Sequence, residues 1–153
     1  MKTSPAGLRF LEANEGVRLD VYLDESGIPT VGVGHVVRAV DGLVVGGTIT
    51  QAQCDAFLAA DVANTEAAIN GLTNPALTQN QFDALVSLTF NIGVNAFRTS
   101  TVLRDLNAGL IADERRAFEL WDKDMQNGSL VISPALLARR DREVALFLKP
   151  DDA

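Results

Sequence analysis

The chain has 153 residues, 47% hydrophobic and 22% charged, with a formal net charge of -7. That balance supports one well-packed domain and excludes an intrinsically disordered chain. The excess of acid offers no basic face to neutralise nucleic-acid phosphates, and no stretch approaches the ~20 apolar residues of a membrane span.

The charge is uneven along the chain. Residues 1–93 hold 4 basic and 10 acidic side chains, whereas residues 94–149 hold 9 and 8, so the arginines of the second half can form a local patch. A single cysteine, Cys54, rules out an intrachain disulfide, and a small buried apolar role on a helix is expected for it. The opening residues lack the apolar core of a signal peptide, so accumulation in the cytoplasm is expected.

Ser4-Pro5 reads as an N-cap followed by proline at the first helical position, opening a short amphipathic helix over 5–15. Gly16 is its natural stop, which leaves Glu15 on the last turn. From Arg18 to Gly34 the pattern changes to alternation: Leu19, Val21 and Leu23, then Val31 and Val33, about a turn at Glu25-Ser26-Gly27. This predicts a β-hairpin. The glycine-rich stretch from Asp41 to Gly47 predicts another short strand or loop.

The remainder reads as helices. Thr50 with Gln53, and Thr78 with Gln81, resemble capping boxes. The first opens a long helix over about 51–70, stopped by Gly71. The second opens a helix over about 79–91. Shorter helices are predicted near 100–108 and 112–121, and Ser133-Pro134 opens the last, through about Leu148. The predicted fold class is α+β, mainly α, in one domain. A small β-hairpin lobe (about 16–50) leads into a connecting helix (about 51–70). A helical lobe follows (about 72–149), against which the first helix (5–15) buries its apolar face. Glu15 is then expected at the junction between lobes, where clefts tend to form.

Residues 15–35 concentrate the chemistry. Cleavage of a glycosidic bond needs one carboxyl to protonate the leaving oxygen and another group to activate water or attack the anomeric carbon. An acid in a partly apolar pocket keeps its proton, while a solvated carboxylate stays ionised. Glu15 suits the first role, Asp24 at the hairpin tip the second, and the Thr30 hydroxyl on the return strand suits holding a water. On these grounds alone the pattern is weak, because any acidic chain contains such pairs.

The run Glu15-Gly16, Arg18-Leu19, Tyr22, Asp24, Gly27, Thr30, Gly32 and Gly34-His35 resembles the signature of the T4-type phage lysozyme family (glycoside hydrolase family 24). The segments 78–93 and 96–109, together with Phe118, Trp121 and Arg139-Arg140, are similar to its later parts. The resemblance implies a lysozyme-like two-lobe fold and an endolysin that hydrolyses the β-1,4 bond between N-acetylmuramic acid and N-acetylglucosamine in peptidoglycan. It implies Glu15 as proton donor, Asp24 as second carboxyl and Thr30 as the residue that places the attacking water, with inversion at the anomeric carbon and no metal or cofactor. It further implies a route of lysis in which the enzyme waits in the host cytoplasm until a holin opens the membrane, without inserting itself.

Supporting positions follow. Gly32 and Gly34 let sugar rings approach the strand. Phe90 and Asn91 match the cleft floor, and Arg139 and Arg142 are candidates to meet peptide carboxylates of the wall, with a solvated helix face as the default for both. Arg18 is expected to pair with an acid beside the site, His35 to hydrogen-bond across the lobe junction as a structural residue, and Tyr22 and Trp121 to pack. A monomer is expected, since a cleft must admit a large polymer. Three readings stay open beside the muramidase: delivery in a phage tail or by secretion, a wall-binding protein without catalysis, and a chitinase-like hydrolase. Pro134-Ala135 stands where the family often has proline-glycine, and residues 36–49 form an extended Val/Gly-rich loop.

Overall fold

Seven α-helices and five β-strands make up the described residues, 1–151, of the computed structural model. In chain order they are α1 (Pro5–Glu15), β1 (Arg18–Leu23), β2 (Pro29–Gly32), β3 (His35–Val36), α2 (Gln51–Leu72), α3 (Gln79–Ile92), α4 (Val94–Arg98), α5 (Thr101–Asn107), α6 (Glu114–Glu119), β4 (Lys123–Gln126), β5 (Ser129–Ile132) and α7 (Pro134–Phe147). Short 3-10 turns occupy Ala39–Asp41 and Ile111–Asp113. The chain forms two compact units, Leu8–Ala63 and Met1–Gly7 with Asn64 onward.

The first unit carries the sheet β1-β2-β3, antiparallel throughout. Tyr22 pairs with Thr30 and Arg18 with Gly32, with a bulge in the ladder between them. Alternation decides the faces: Val21, Val31 and Val33 are buried, as are Ile49 after the loop and Leu11, Cys54, Leu58 and Val62 on the helices. The stretch 41–47 is a loop rather than a strand. Its glycines trade backbone bonds with β1, Gly46 N–H donating to the Val21 carbonyl at 2.9 Å and Val21 N–H to the Gly47 carbonyl at 2.8 Å.

The second unit is helical, with Phe82, Leu85, Leu88, Phe97, Leu106, Phe118, Val144 and Phe147 at its core. Phe118 and Phe147 meet in a tilted pair with centroids 5.7 Å apart. The capping box at Thr78 is present in both directions: Thr78 Oγ1 accepts from Gln81 N–H, and Gln81 Oε1 accepts from Thr78 N–H. Asp151 adds two more acceptors, for the Gln79 and Asn80 N–H groups. Those bonds hold its carboxyl below the usual range.

Three details depart from expectation. Helix α2 runs through Gly71 to Leu72; Asn74-Pro75 beyond it is what excludes further helix. Helix α4 precedes α5 as a separate single turn. Between α6 and α7 stands the unforeseen hairpin β4-β5, turning at Asn127-Gly128 with φ of +50° and +80°, the signature of a type I′ turn.

Candidate active site

Glu15 closes α1. Gly16 takes φ +80°, and its N–H still reaches the Glu12 carbonyl at 2.9 Å. A residue with a β-carbon would resist this left-handed backbone by about 1 kcal/mol, so glycine ends the helix and sends the chain straight into β1. Glu15 is left exposed at the helix end, on the wall of a pocket of about 470 Å³. Val17, Arg18, Tyr22, Gly32 and Gly34 also line it. Glu15, Arg18 and Gly34, named from the sequence, therefore come together.

Arg18, Asp20 and Tyr22 alternate along β1 and so share a face. The Arg18 guanidinium donates to the Asp20 carboxylate twice, Nε to Oδ1 at 3.2 Å and Nη2 to Oδ2 at 2.5 Å. It also lies over the Tyr22 ring at 4.0 Å. The hydrogen bond from Arg18 holds the Asp20 carboxyl below its usual range, and Asp20 in turn raises the guanidinium. Asp20 was not anticipated; its signal was its place two residues along the strand from Arg18.

Asp24 and Thr30 do not line this pocket. Asp24 follows β1, and its Oδ1 accepts from Ser26 N–H and Ile28 N–H, both at 2.8 Å. The carboxylate thus folds its own turn, while Oδ2 accepts no bond among the described residues. Thr30, on β2, is 5% exposed and donates its hydroxyl hydrogen to the Ile28 carbonyl at 2.9 Å. Its oxygen keeps lone pairs for a donor such as water.

His35 differs from expectation. Nδ1 faces Asp61 Oδ2 at 2.8 Å and Nε2 faces Asp41 Oδ2 at 3.3 Å, while the ring stacks on Phe57 with centroids 4.1 Å apart. All three partners belong to the same unit, Leu8–Ala63, so the bonds do not cross between units. Arg38 N–H donates to the same Asp41 oxygen and holds that carboxyl low. His35 therefore fastens the 3-10 turn to α2.

The phage lysozyme family profile matches residues 12–143. The chain belongs to the phage lysozyme family. It is 46% identical over 150 residues to the endolysin of Salmonella phage P22, covering 97% of this chain and 99% of that one. It is 42% identical to the endolysin of Acyrthosiphon pisum secondary endosymbiont phage 1, covering 96% and 98%. A crystal structure of a mutant P22 lysozyme has the same fold, with a TM-score of 0.88 at 44% identity over 97% of this chain and 99% of that one.

The remaining candidates of this lysozyme lie in the helical unit. Arg139 is corrected most plainly: neither a contact for wall peptides nor a solvated side chain, it is 6% exposed and donates to Glu143 Oε1 at 2.9 Å and to the Ser87 carbonyl at 3.1 Å. Arg140 is 1% exposed and donates to Glu143 Oε2, the Trp121 carbonyl and Asn91 Oδ1. Ser87 Oγ donates to Glu143 at 2.6 Å. A glutamate buried between two arginines is stable there because each charge is paired and hydrogen-bonded. Asn91 is committed to that network, and Phe90 is half-buried. Trp121, expected in the core, is half-buried on the rim of a groove shared with Asn91 and Lys123.

Among the described residues, one three-residue group has ligand atoms close enough for a metal: Glu12, Cys54 and Asp55, within 4.8 Å of one another. It does not line the Glu15 pocket, and Gln51 Nε2 already bridges its carboxylates at 3.3 and 2.7 Å. Cys54 itself is 0% exposed, and burial, with help from Glu12 and Asp55, pushes its thiol up.

Proposed function

We propose that the pocket around Glu15 is where this phage lysozyme cuts the glycan strand of bacterial peptidoglycan. The single observation that carries the reading is the placement of Glu15 on a pocket wall at a glycine-terminated helix end, inside the segment matched by the family profile. The chain is a glycoside hydrolase of the muramidase type.

The roles proposed are these. Glu15 donates its proton to the glycosidic oxygen between N-acetylmuramic acid and N-acetylglucosamine. A bound sugar ring displaces water from the pocket, which strengthens that transfer. Asp24 offers the unengaged Oδ2 as base or electrostatic partner of the oxocarbenium-like transition state. Its other oxygen is tied to two N–H groups, so the group is held in place without being neutralised. Thr30, with its hydrogen directed to Ile28, presents lone pairs that accept a hydrogen from water, turning the water's own lone pair outward for attack. Gly34 leaves room for the sugar beside Glu15.

The same reading takes the whole chain as one catalytic domain, monomeric, accumulating in the host cytoplasm and reaching the wall when a holin opens the membrane. No helix among the described residues is long and apolar enough to cross a membrane.

The test is clearing of purified peptidoglycan by wild type beside Glu15→Gln and Asp24→Asn, with the products analysed for new ends. Wild type is expected to release reducing muramic acid ends. Each variant is expected to lose at least ~100-fold in rate with its fold intact. New amino groups in place of reducing ends would overturn the muramidase reading. Full activity of Glu15→Gln would overturn the assignment of the acid.

A further inference from the structure

We infer that Arg18 is the residue that recognises the lactyl group of muramic acid, and so makes this pocket select muramoyl strands over plain N-acetylglucosamine polymers. The inference rests on the muramidase reading above and deepens it.

Of the side chains lining the pocket, only Glu15, Arg18 and Tyr22 can hydrogen-bond; the others are glycines and a valine. Muramic acid differs from glucosamine by one group, a lactyl ether on O3 that ends in a carboxyl. That group is an anion when free and an amide carbonyl when it bears a peptide, an acceptor in either form. Arg18 is a pure donor of positive charge, matched to such an acceptor.

Two neighbours on β1 orient Arg18. Asp20 takes one N–H from Nε and one from Nη2, and the Tyr22 ring backs the guanidinium plane at 4.0 Å. A guanidinium has five N–H bonds, so three remain uncommitted on a half-exposed group that these contacts orient. Without that cation, a ligand carboxylate brought beside the carboxylate form of Glu15 would be repelled. The ring reach also fits: the carbon attacked is C1 and the lactyl oxygen is on C3 of the same sugar. A residue sharing the pocket wall with the acid is therefore near that substituent when C1 is near Glu15.

Arg18 acts here as a specificity residue, and the test separates that from a merely supporting surface ion pair. Glycan strands stripped of their peptides carry a free lactyl carboxylate. The same strands with that carboxyl reduced to an alcohol do not. Wild type is expected to prefer the carboxylate strand by about tenfold in kcat/KM, expressed mainly in KM. Arg18→Gln is expected to bring that ratio close to one with its melting temperature unchanged, and Arg18→Lys, which keeps the charge but not the fork, to fall between.

A wild type with no preference, or an Arg18→Gln enzyme that retains it, overturns the inference. Equal loss of turnover on both strands also overturns it, because Arg18 would then serve Glu15 and not the lactyl group. Each of these differs from a wild type that makes no reducing ends on any strand, which would remove the muramidase reading itself.

Discussion

Thr30 and Glu114 are two single side chains whose surroundings make opposite demands. The Thr30 hydroxyl is buried yet only half used, donating to Ile28 and free to accept. Thr30→Val keeps the shape on the strand and deletes the acceptor. It is expected to lower kcat at least ~10-fold, with little change in KM, because a water held for attack contributes in the transition state; steady-state kinetics on soluble strands checks this. Glu114 has no such purpose in view. It is fully buried at the start of α6, neither carboxyl oxygen has a partner among the described residues, and its pKa is raised to about 8 by burial, then by Asp105 and Asp113. The unfolded chain releases this proton near the ordinary value of 4.5 while the folded protein retains it. Stability should therefore fall as pH rises between those values, by at most about 1.4 kcal/mol per pH unit from this group, and level off above them. Urea midpoints at pH 5, 7 and 9 should show that slope in wild type and a flatter line in Glu114→Gln. Parallel lines would show that the carboxyl finds a partner in solution.

Helix ends were the most legible elements, because caps are local chemistry. Ser4, Thr78 and Ser133 each place a side-chain oxygen on the first turn, where three to four N–H groups lack partners. Thr78→Ala is expected to cost about 1 kcal/mol of stability, read as a lower melting temperature; the two bonds from Asp151 keep the loss from being larger. The hairpin β4-β5 was missed for a different reason. Its strands are exposed on both faces, so Leu130, Val131 and Ile132 give a continuous apolar run with no alternation to read. The Asn127-Gly128 turn was the usable signal. Arg139 and Arg140 show the converse failure. A pair of arginines next to acids on a helix looks like a solvated face, and only the tertiary placement of Ser87 and Asn91 on α3 makes a buried network of them and their helix neighbour Glu143. In the site, Glu15, Arg18 and Gly34 could be named from spacing, whereas Asp20, Asp41, Asp61 and Phe57 are partners that a linear motif does not single out.

The whole molecule carries a charge of -7 toward a polymer that is itself anionic. Encounter is then opposed at long range and favoured only close to groups such as Arg18. Raising ionic strength from ~10 mM to ~100 mM shortens the screening length from about 30 to 10 Å, so the rate of clearing of whole walls should rise over that interval. A basic lysozyme would slow instead. A rate that falls with salt would mean that local attraction governs encounter.

Cys54 has a bearing on how the protein meets a change of surroundings. Its sulfur is shut away from solvent and its thiol is pushed above the ordinary range, so little thiolate is ever presented to an oxidant. No bond in the fold is made or lost when reductant gives way to oxygen. Under the proposed route, with folding in the cytoplasm and action on the wall, the enzyme would carry no redox memory of the crossing.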